Sequence, residues 1–185
     1  MKEVSDEYIV GLMKDKLRRE EGFRLLMQQY QQRLYFHIRR MVNSHEDTND
    51  VLQNVFLKVF KGIHNFKSES QLYTWLYRIA TNETITFLNK QKKRYSISIN
   101  DEQNIHAQNL VAEPAIEANI IQRKLKEAIE RLPKKQRLVF NMRYYDEMTY
   151  QQISDVLETS VGGLKASYHH AVKKIEIYLR QTDMT

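Results

Sequence analysis

Cysteine is absent from the 185 residues. That removes disulfides, thiolate metal sites and cysteine nucleophiles from consideration, and it suits a reducing compartment. Glycine (5) and proline (2) are scarce, so no glycine-rich phosphate loop can form and little punctuates the chain except short turns. No apolar run is long enough to cross a bilayer, and the first stretch, MKEVSDEYIVGLMKD, is too charged for a signal peptide. The six histidines (His37, His45, His64, His106, His169, His170) show no metal-ligand spacing. The adjacent pair His169-His170 cannot turn both rings toward one ion from a regular helix. No nucleophile motif is present either, which argues against an enzyme, a cofactor site or a small-molecule substrate.

What remains is rich in helix formers, and the fold class read from it is all-α. The chain carries 29 Lys+Arg against 23 Asp+Glu, net +6, with a pI near 9.4. A basic balance points to an anionic partner, nucleic acid or a membrane surface. The charge is not evenly spread. Between Arg94 and Arg123 there is no Lys or Arg, whereas Asp101, Glu102, Glu113, Glu117 and Pro114 all fall there among Asn, Gln, Ser and Ala. This composition predicts a flexible acidic linker over 95–122, between a first small helical domain at 1–94 and a second at 123–185.

In the first domain Ser5 can cap an opening helix. Apolar residues then recur at helical spacing in three longer segments: Phe23 to Ile38, Leu52 to Ile63, and Leu72, Trp75, Leu76 and Ile79. Each stripe reads first as a core face, and Trp75 falls in register with its own. On the second of these helices Asp50, Asn54, Leu57, Lys58 and Lys61 lie away from the stripe, with Gln53 at its edge. Leu57 is a large apolar residue on an otherwise polar face, the pattern expected where a partner helix packs. On the third, Thr74, Arg78, Thr81, Asn82, Ile85, Asn89 and Lys92 fall opposite the stripe.

The second domain is more sharply punctuated. A helix face through Leu125 and Ile129 stops at Pro133, and another follows through Leu138 and Met142. Thr149-Tyr-Gln-Gln152 is a capping box. A short turn at Glu158-Thr159 then leads to Ser160 as the N-cap of a final helix. Two short capped helices joined by a tight turn read as a helix-turn-helix, the second helix entering the major groove. Gly163 allows close approach of the backbone, and Lys165, Ser167, His169, His170 and Lys173 project outward, able to donate to bases or phosphates.

These segments resemble a known family. Leu132-Pro-Lys-Lys-Gln-Arg-Leu-Val-Phe, Met148-Thr-Tyr-Gln-Gln-Ile-Ser-Asp-Val-Leu and Ser160-Val-Gly-Gly-Leu-Lys look like domain 4 of an extracytoplasmic-function (ECF) sigma factor of the sigma-70 family. Asp47-Thr-Asn-Asp-Val-Leu-Gln-Asn-Val-Phe and Leu72-Tyr-Thr-Trp-Leu-Tyr-Arg-Ile-Ala-Thr-Asn look like its domain 2.

The resemblance implies a cytoplasmic initiation factor whose partners are core RNA polymerase and promoter DNA, with an anti-sigma factor as a further candidate and no insertion into the membrane. It implies polymerase binding through Asp50, Gln53, Asn54, Leu57 and Lys58. It implies recognition and melting of the −10 element through Phe66, Lys67, Ser68, Arg78, Asn82, Asn89 and Lys92. The −35 element then falls to Ser160, Gly163, Lys165, Ser167, His169, His170 and Lys173. The linker would thread the polymerase cleft toward the RNA exit channel, although a solubilising tether explains its composition equally well. The rival readings are a stand-alone helix-turn-helix regulator of duplex DNA and a protein bound to a membrane surface by its basic face.

Overall fold

The computed structural model describes residues 4–42, 44–67, 70–98 and 120–183. Among these the chain is entirely helix and turn, as expected for an all-α protein, and it divides into two compact units, Met1–Gln103 and Asn104–Thr185. The expected linker acids, Pro114, His106 and Ser68 lie outside the described residues.

Unit 1 contains α1 (Asp6–Lys14), α2 (Arg19–Arg39), α3 (His45–Gly62), a 3-10 turn (Ile63–Asn65) and α4 (Leu72–Ser98). Side-chain oxygens satisfy orphan amides at two helix starts. Ser5 Oγ accepts from the Tyr8 amide at 3.3 Å, and Ser44 Oγ from the Asp47 amide at 3.2 Å. The core is aliphatic where the helices meet: Ile9, Met13, Leu26, Leu34, Ile38, Val55, Val59 and Leu76 are fully buried. Tyr30 joins it with its hydroxyl donating to Asp6 at 2.6 Å. Burial, and then that carboxylate, push the phenol well above its ordinary range.

The buried side of α4 differs from the expected stripe. Leu72 and Leu76 are buried, but so are Thr74, Tyr77, Ala80, Thr81 and Thr84, while Trp75 and Ile79 are only half-buried. Thr74 and Thr81 are therefore core residues rather than part of an outer face. The cost of burying hydroxyls is offset by local partners. Thr81 Oγ1 lies 3.0 Å from Nε2 of the buried His37, and the Thr84 hydroxyl donates to the Ala80 carbonyl at 2.7 Å. A pattern based on apolar residues alone cannot register such satisfied threonines.

Unit 2 contains α5 (Ile120–Glu130), α6 (Lys134–Tyr144), α7 (Tyr150–Leu157) and α8 (Val161–Asp183). Ala128, Ile129, Leu132, Phe140, Ala171 and Ile175 form its central cluster. Tyr168 extends the cluster by stacking on Phe140, with ring centroids 5.7 Å apart. The capping box is present in both directions: Thr149 Oγ1 accepts from the Gln152 amide at 3.2 Å, and Gln152 Oε1 accepts from the Thr149 amide at 2.8 Å. Glu158 ends α7 with φ 52° and ψ 39°, a left-handed conformation that reverses the chain in a single step before Ser160.

A close helix contact lies between α1 and α2, at Gly22. A β-carbon there would come within 2.8 Å of Leu12 Cβ and 2.7 Å of the Met13 amide nitrogen. Gly22→Ala is expected to force the two helices apart and destabilise unit 1 by about 1–3 kcal/mol. Thermal denaturation checks this, and an unchanged midpoint would show that α1 shifts without cost.

Candidate nucleic-acid and partner interfaces

Three surfaces emerge from this packing. The first is the outer side of α3. Asp50, Gln53, Asn54, Leu57 and Lys58 are all exposed, Leu57 at 51%. Beside them opens a groove of about 320 Å³, lined mainly by Phe23 and Met27 of α2 and Leu52, Gln53, Phe56 and Leu57 of α3. Leu57 is thus one wall of an apolar depression. The contributions of Phe23, Met27 and Phe56 were not legible in the sequence, because each was counted only as core. Lys58 is not a free cation, since its ammonium pairs with Glu83 of α4.

The second surface is the outer side of α4 with the chain that precedes it. Arg78, Asn82, Ile85 and Asn89 follow one another at steps of four, three and four, a single helical row. Asn82, Ile85, Asn89 and Lys92 are exposed and Arg78 is half-buried. Arg78 Nε is buried and has no hydrogen-bond partner. Trp75, three residues before Arg78, heads this same row. Its ring lies 5.2 Å from that of Phe66, and its Cζ2 approaches the position a Gly62 side chain would take at 3.7 Å. Trp75 thus packs at the margin of the core, half-buried rather than fully enclosed.

The expectation for Phe66 is corrected. It is buried and packs under Trp75, so its ring cannot meet DNA from the surface. Lys67, the next residue, is exposed.

The third surface is α8 and the turn before it. Gly163, Lys165, His169, His170 and Lys173 are exposed, and Ser167 is half-buried. Lys165 Nζ sits 6.0 Å from the Tyr150 ring centroid, so an aromatic face steadies the cation from α7. Ser160 is engaged locally, its Oγ accepting from the Gly163 amide at 3.3 Å. It therefore caps the helix, as expected, and its exposed hydroxyl can still donate while it accepts this bond. Lys174 donates to Gln136 Oε1 at 3.0 Å, tying α8 to α6. Among the described residues no group of acids and histidines could hold a metal ion, and no helix is long and apolar enough to cross a membrane.

Comparison with known proteins joins the first two surfaces to the third. The Sigma-70 region 2 profile matches residues 26–94, and the profile for Sigma-70 region 4 matches residues 122–175. The ECF RNA polymerase sigma factor SigW of Bacillus subtilis (strain 168) is 27% identical over 169 residues, covering 87% of this chain and 90% of SigW. The ECF RNA polymerase sigma-E factor of Escherichia coli (strain K12) is 29% identical over 167 residues, covering 85% and 86%.

The fold matches that of the sigma factor RpoE of Bartonella quintana, solved with the anti-sigma factor NepR. The TM-score is 0.70 at 18% identity, over 86% of this chain and 98% of that one. CnrH, solved with the cytosolic domain of CnrY, gives 0.68 at 16% identity over 95% and 97%. A helical pair of units ending in a helix-turn-helix and matching both sigma regions in order defines a promoter-specific initiation factor. The chain belongs to the sigma-70 family, in its extracytoplasmic-function branch. Sigma factors are not enzymes.

The start of α8 allows a direct check on how its residues divide between folding and binding. Gly162 has open space where a β-carbon would stand, so Gly162→Ala should raise stability by roughly 0.5–1 kcal/mol through helix propensity. Ser160→Ala should lower it by about 1 kcal/mol through loss of the cap. Denaturant unfolding monitored within unit 2 distinguishes the two, and an equal response to both changes would contradict the capping role.

Proposed function

We propose that this protein binds core RNA polymerase through the α3 face and its groove, grips the opened −10 strand on the outer row of α4, and reads the −35 element with α8. The observation that carries the reading is the α4 row. A half-buried indole, a half-buried guanidinium, two carboxamides and a lysine lie in one line on the exposed side of α4. Such a row offers stacking, base-edge hydrogen bonds and phosphate neutralisation to a single strand, and duplex DNA has no need of the first. A regulator that binds duplex DNA unaided would account for unit 2 and leave this row without a purpose.

In this reading residues 1–94 form the polymerase and −10 domain, 95–122 the linker and 123–185 the −35 domain. The site of action is the cytoplasm, where polymerase and promoter are found, and the protein carries out no chemical step of its own. Anti-sigma factors accompany RpoE of Bartonella quintana in the solved structure, and a partner of that kind fits here too.

Docking on polymerase rests on apolar contact at Leu57 beside the Asp50 carboxylate. Asp50→Arg combined with Leu57→Glu should abolish co-purification with core polymerase while leaving the helical circular dichroism unchanged. A folded double variant that still co-purifies would remove α3 from the interface.

At unit 2, Lys165→Ala should weaken −35 use. A base-reading contact costs about 1–3 kcal/mol and does so selectively, whereas an equal loss on every −35 sequence marks a phosphate contact. Binding by the variant at wild-type strength would place the wrong face of α8 on DNA.

At α4, Asn82→Ala should lower open-complex formation, read as permanganate reactivity of unpaired thymines, while closed binding through unit 2 persists. A template pre-melted across the −10 element should recover part of the loss, because unstacking has already occurred. Opening at the wild-type level would remove the α4 row from strand capture.

A further inference from the structure

The region 2 match begins at residue 26, yet the chain before it is built into the approach to α4. Lys14, the last residue of α1, donates from Nζ to the Phe66 carbonyl at 2.7 Å, across 52 residues of sequence. Arg19, the first residue of α2, donates to the Phe60 carbonyl, and its guanidinium lies over the Phe60 ring, 3.9 Å from the centroid. Both acceptors stand where α3 is ending and the chain is turning through Ile63–Asn65, the region in which helix carbonyls lose their own partners. Two cations from the α1–α2 corner thus fix the path of the chain between α3 and α4.

The consequence for the DNA-facing surface follows from peptide geometry. The Phe66 carbonyl and the Lys67 amide belong to one planar group. With the Phe66 ring buried against Trp75 and its carbonyl held by Lys14, that plane is restrained, and with it the point from which Lys67 leaves the core. Lys67 directly follows Phe66, whose ring packs on Trp75 at the head of the α4 row. We infer that Lys14 is a positioning residue for promoter opening: it aims Lys67, beside Trp75, at the displaced strand, without touching DNA itself. This inference rests on the strand-capture role proposed above for α4.

Lys14 is exposed and its bond lies at the edge of the core, and a methionine in its place keeps the apolar stem. The loss of the donor should therefore be felt more in the precision of the loop than in whether unit 1 folds.

The test uses the full-length chain with core RNA polymerase on a linear promoter duplex. Lys14→Met keeps the apolar stem and removes the donor; Lys14→Arg restores a donor. Lys14→Met should reduce permanganate-reactive open complex about fivefold, with polymerase affinity and thermal midpoint close to wild type, and Lys14→Arg should recover most of the loss. In a Lys67→Ala background Lys14→Met should add little, since the two residues act in series.

Full opening by Lys14→Met overturns the inference. So does a loss of the same size in the Lys67→Ala background, a parallel fall in thermal midpoint, or failure of Lys14→Arg to rescue. Asn82→Ala run alongside keeps the two levels separate. If it impairs opening and Lys14→Met does not, only the role of Lys14 falls. If neither impairs opening, the reading of α4 falls with it.

Discussion

A hydrogen bond between two fully enclosed side chains, His37 of α2 and Thr81 of α4, sets the rotation of α4 about its own axis. The bond spans 3.0 Å, and the imidazole also lies against Tyr77, with ring centroids 4.8 Å apart. If α4 rolled by one residue, about 100°, Thr81 would leave its partner and a buried nitrogen of His37 would lose its acceptor or donor. A desolvated polar group without a partner costs about 1–3 kcal/mol, which is a large share of a small domain's stability. Apolar packing tolerates small rotations, whereas this pair does not. Thr81 stands near the edge of the buried arc, next to the row of Arg78, Asn82, Ile85 and Asn89, so this bond marks where the exposed side of α4 begins.

A similar division of labour holds in unit 2. There the precise step is the turn between α7 and α8, made by Glu158 in a left-handed conformation that side chains other than glycine and asparagine visit at a cost of roughly 1–2 kcal/mol. The capping box on one side and the Ser160 cap on the other fix both helix ends against that cost. The result is a short α7 held against the first half of α8. The Tyr150 ring on α7 then supports Lys165 on α8, so the pose of one outward cation depends on the geometry of the turn.

Features with a local cause were legible in the sequence. Caps at Ser5, Thr149 or Ser160, the stop at Pro133 and the short turn at Glu158-Thr159 depend on neighbouring residues, and residue types announce them. What escaped was tertiary. Thr74 and Thr81 were placed outside because a threonine is polar, yet both are buried, Thr81 against His37; Trp75, placed in the core, lies half-buried at its margin against Phe66. Phe66 was read as a loop residue free to meet DNA, but it is the plug beneath Trp75. The groove beside Leu57 needed Phe23 and Met27 from another helix, and no periodicity within α3 could have supplied them.

The two outward faces of unit 1 belong to helices packed on each other, which bears on how polymerase docking and strand capture could communicate. Lys58 on the outer side of α3 pairs with Glu83 on α4, one residue from Asn82. A single ion pair whose lysine is this open to water contributes on the order of 1 kcal/mol and is screened by salt, so it is too weak to transmit a docking event by itself. The rigid connection is the shared core: Val55 and Val59 of α3 and Leu76 of α4 are fully buried. Close-packed interiors of this kind move as blocks rather than bending residue by residue. On that basis a partner seated against Leu57 would fix the whole helical layer, α4 row included, before any base is unstacked. The proposed gripping surface would then be formed in advance, and the energy of strand capture would go into opening DNA rather than into ordering the protein.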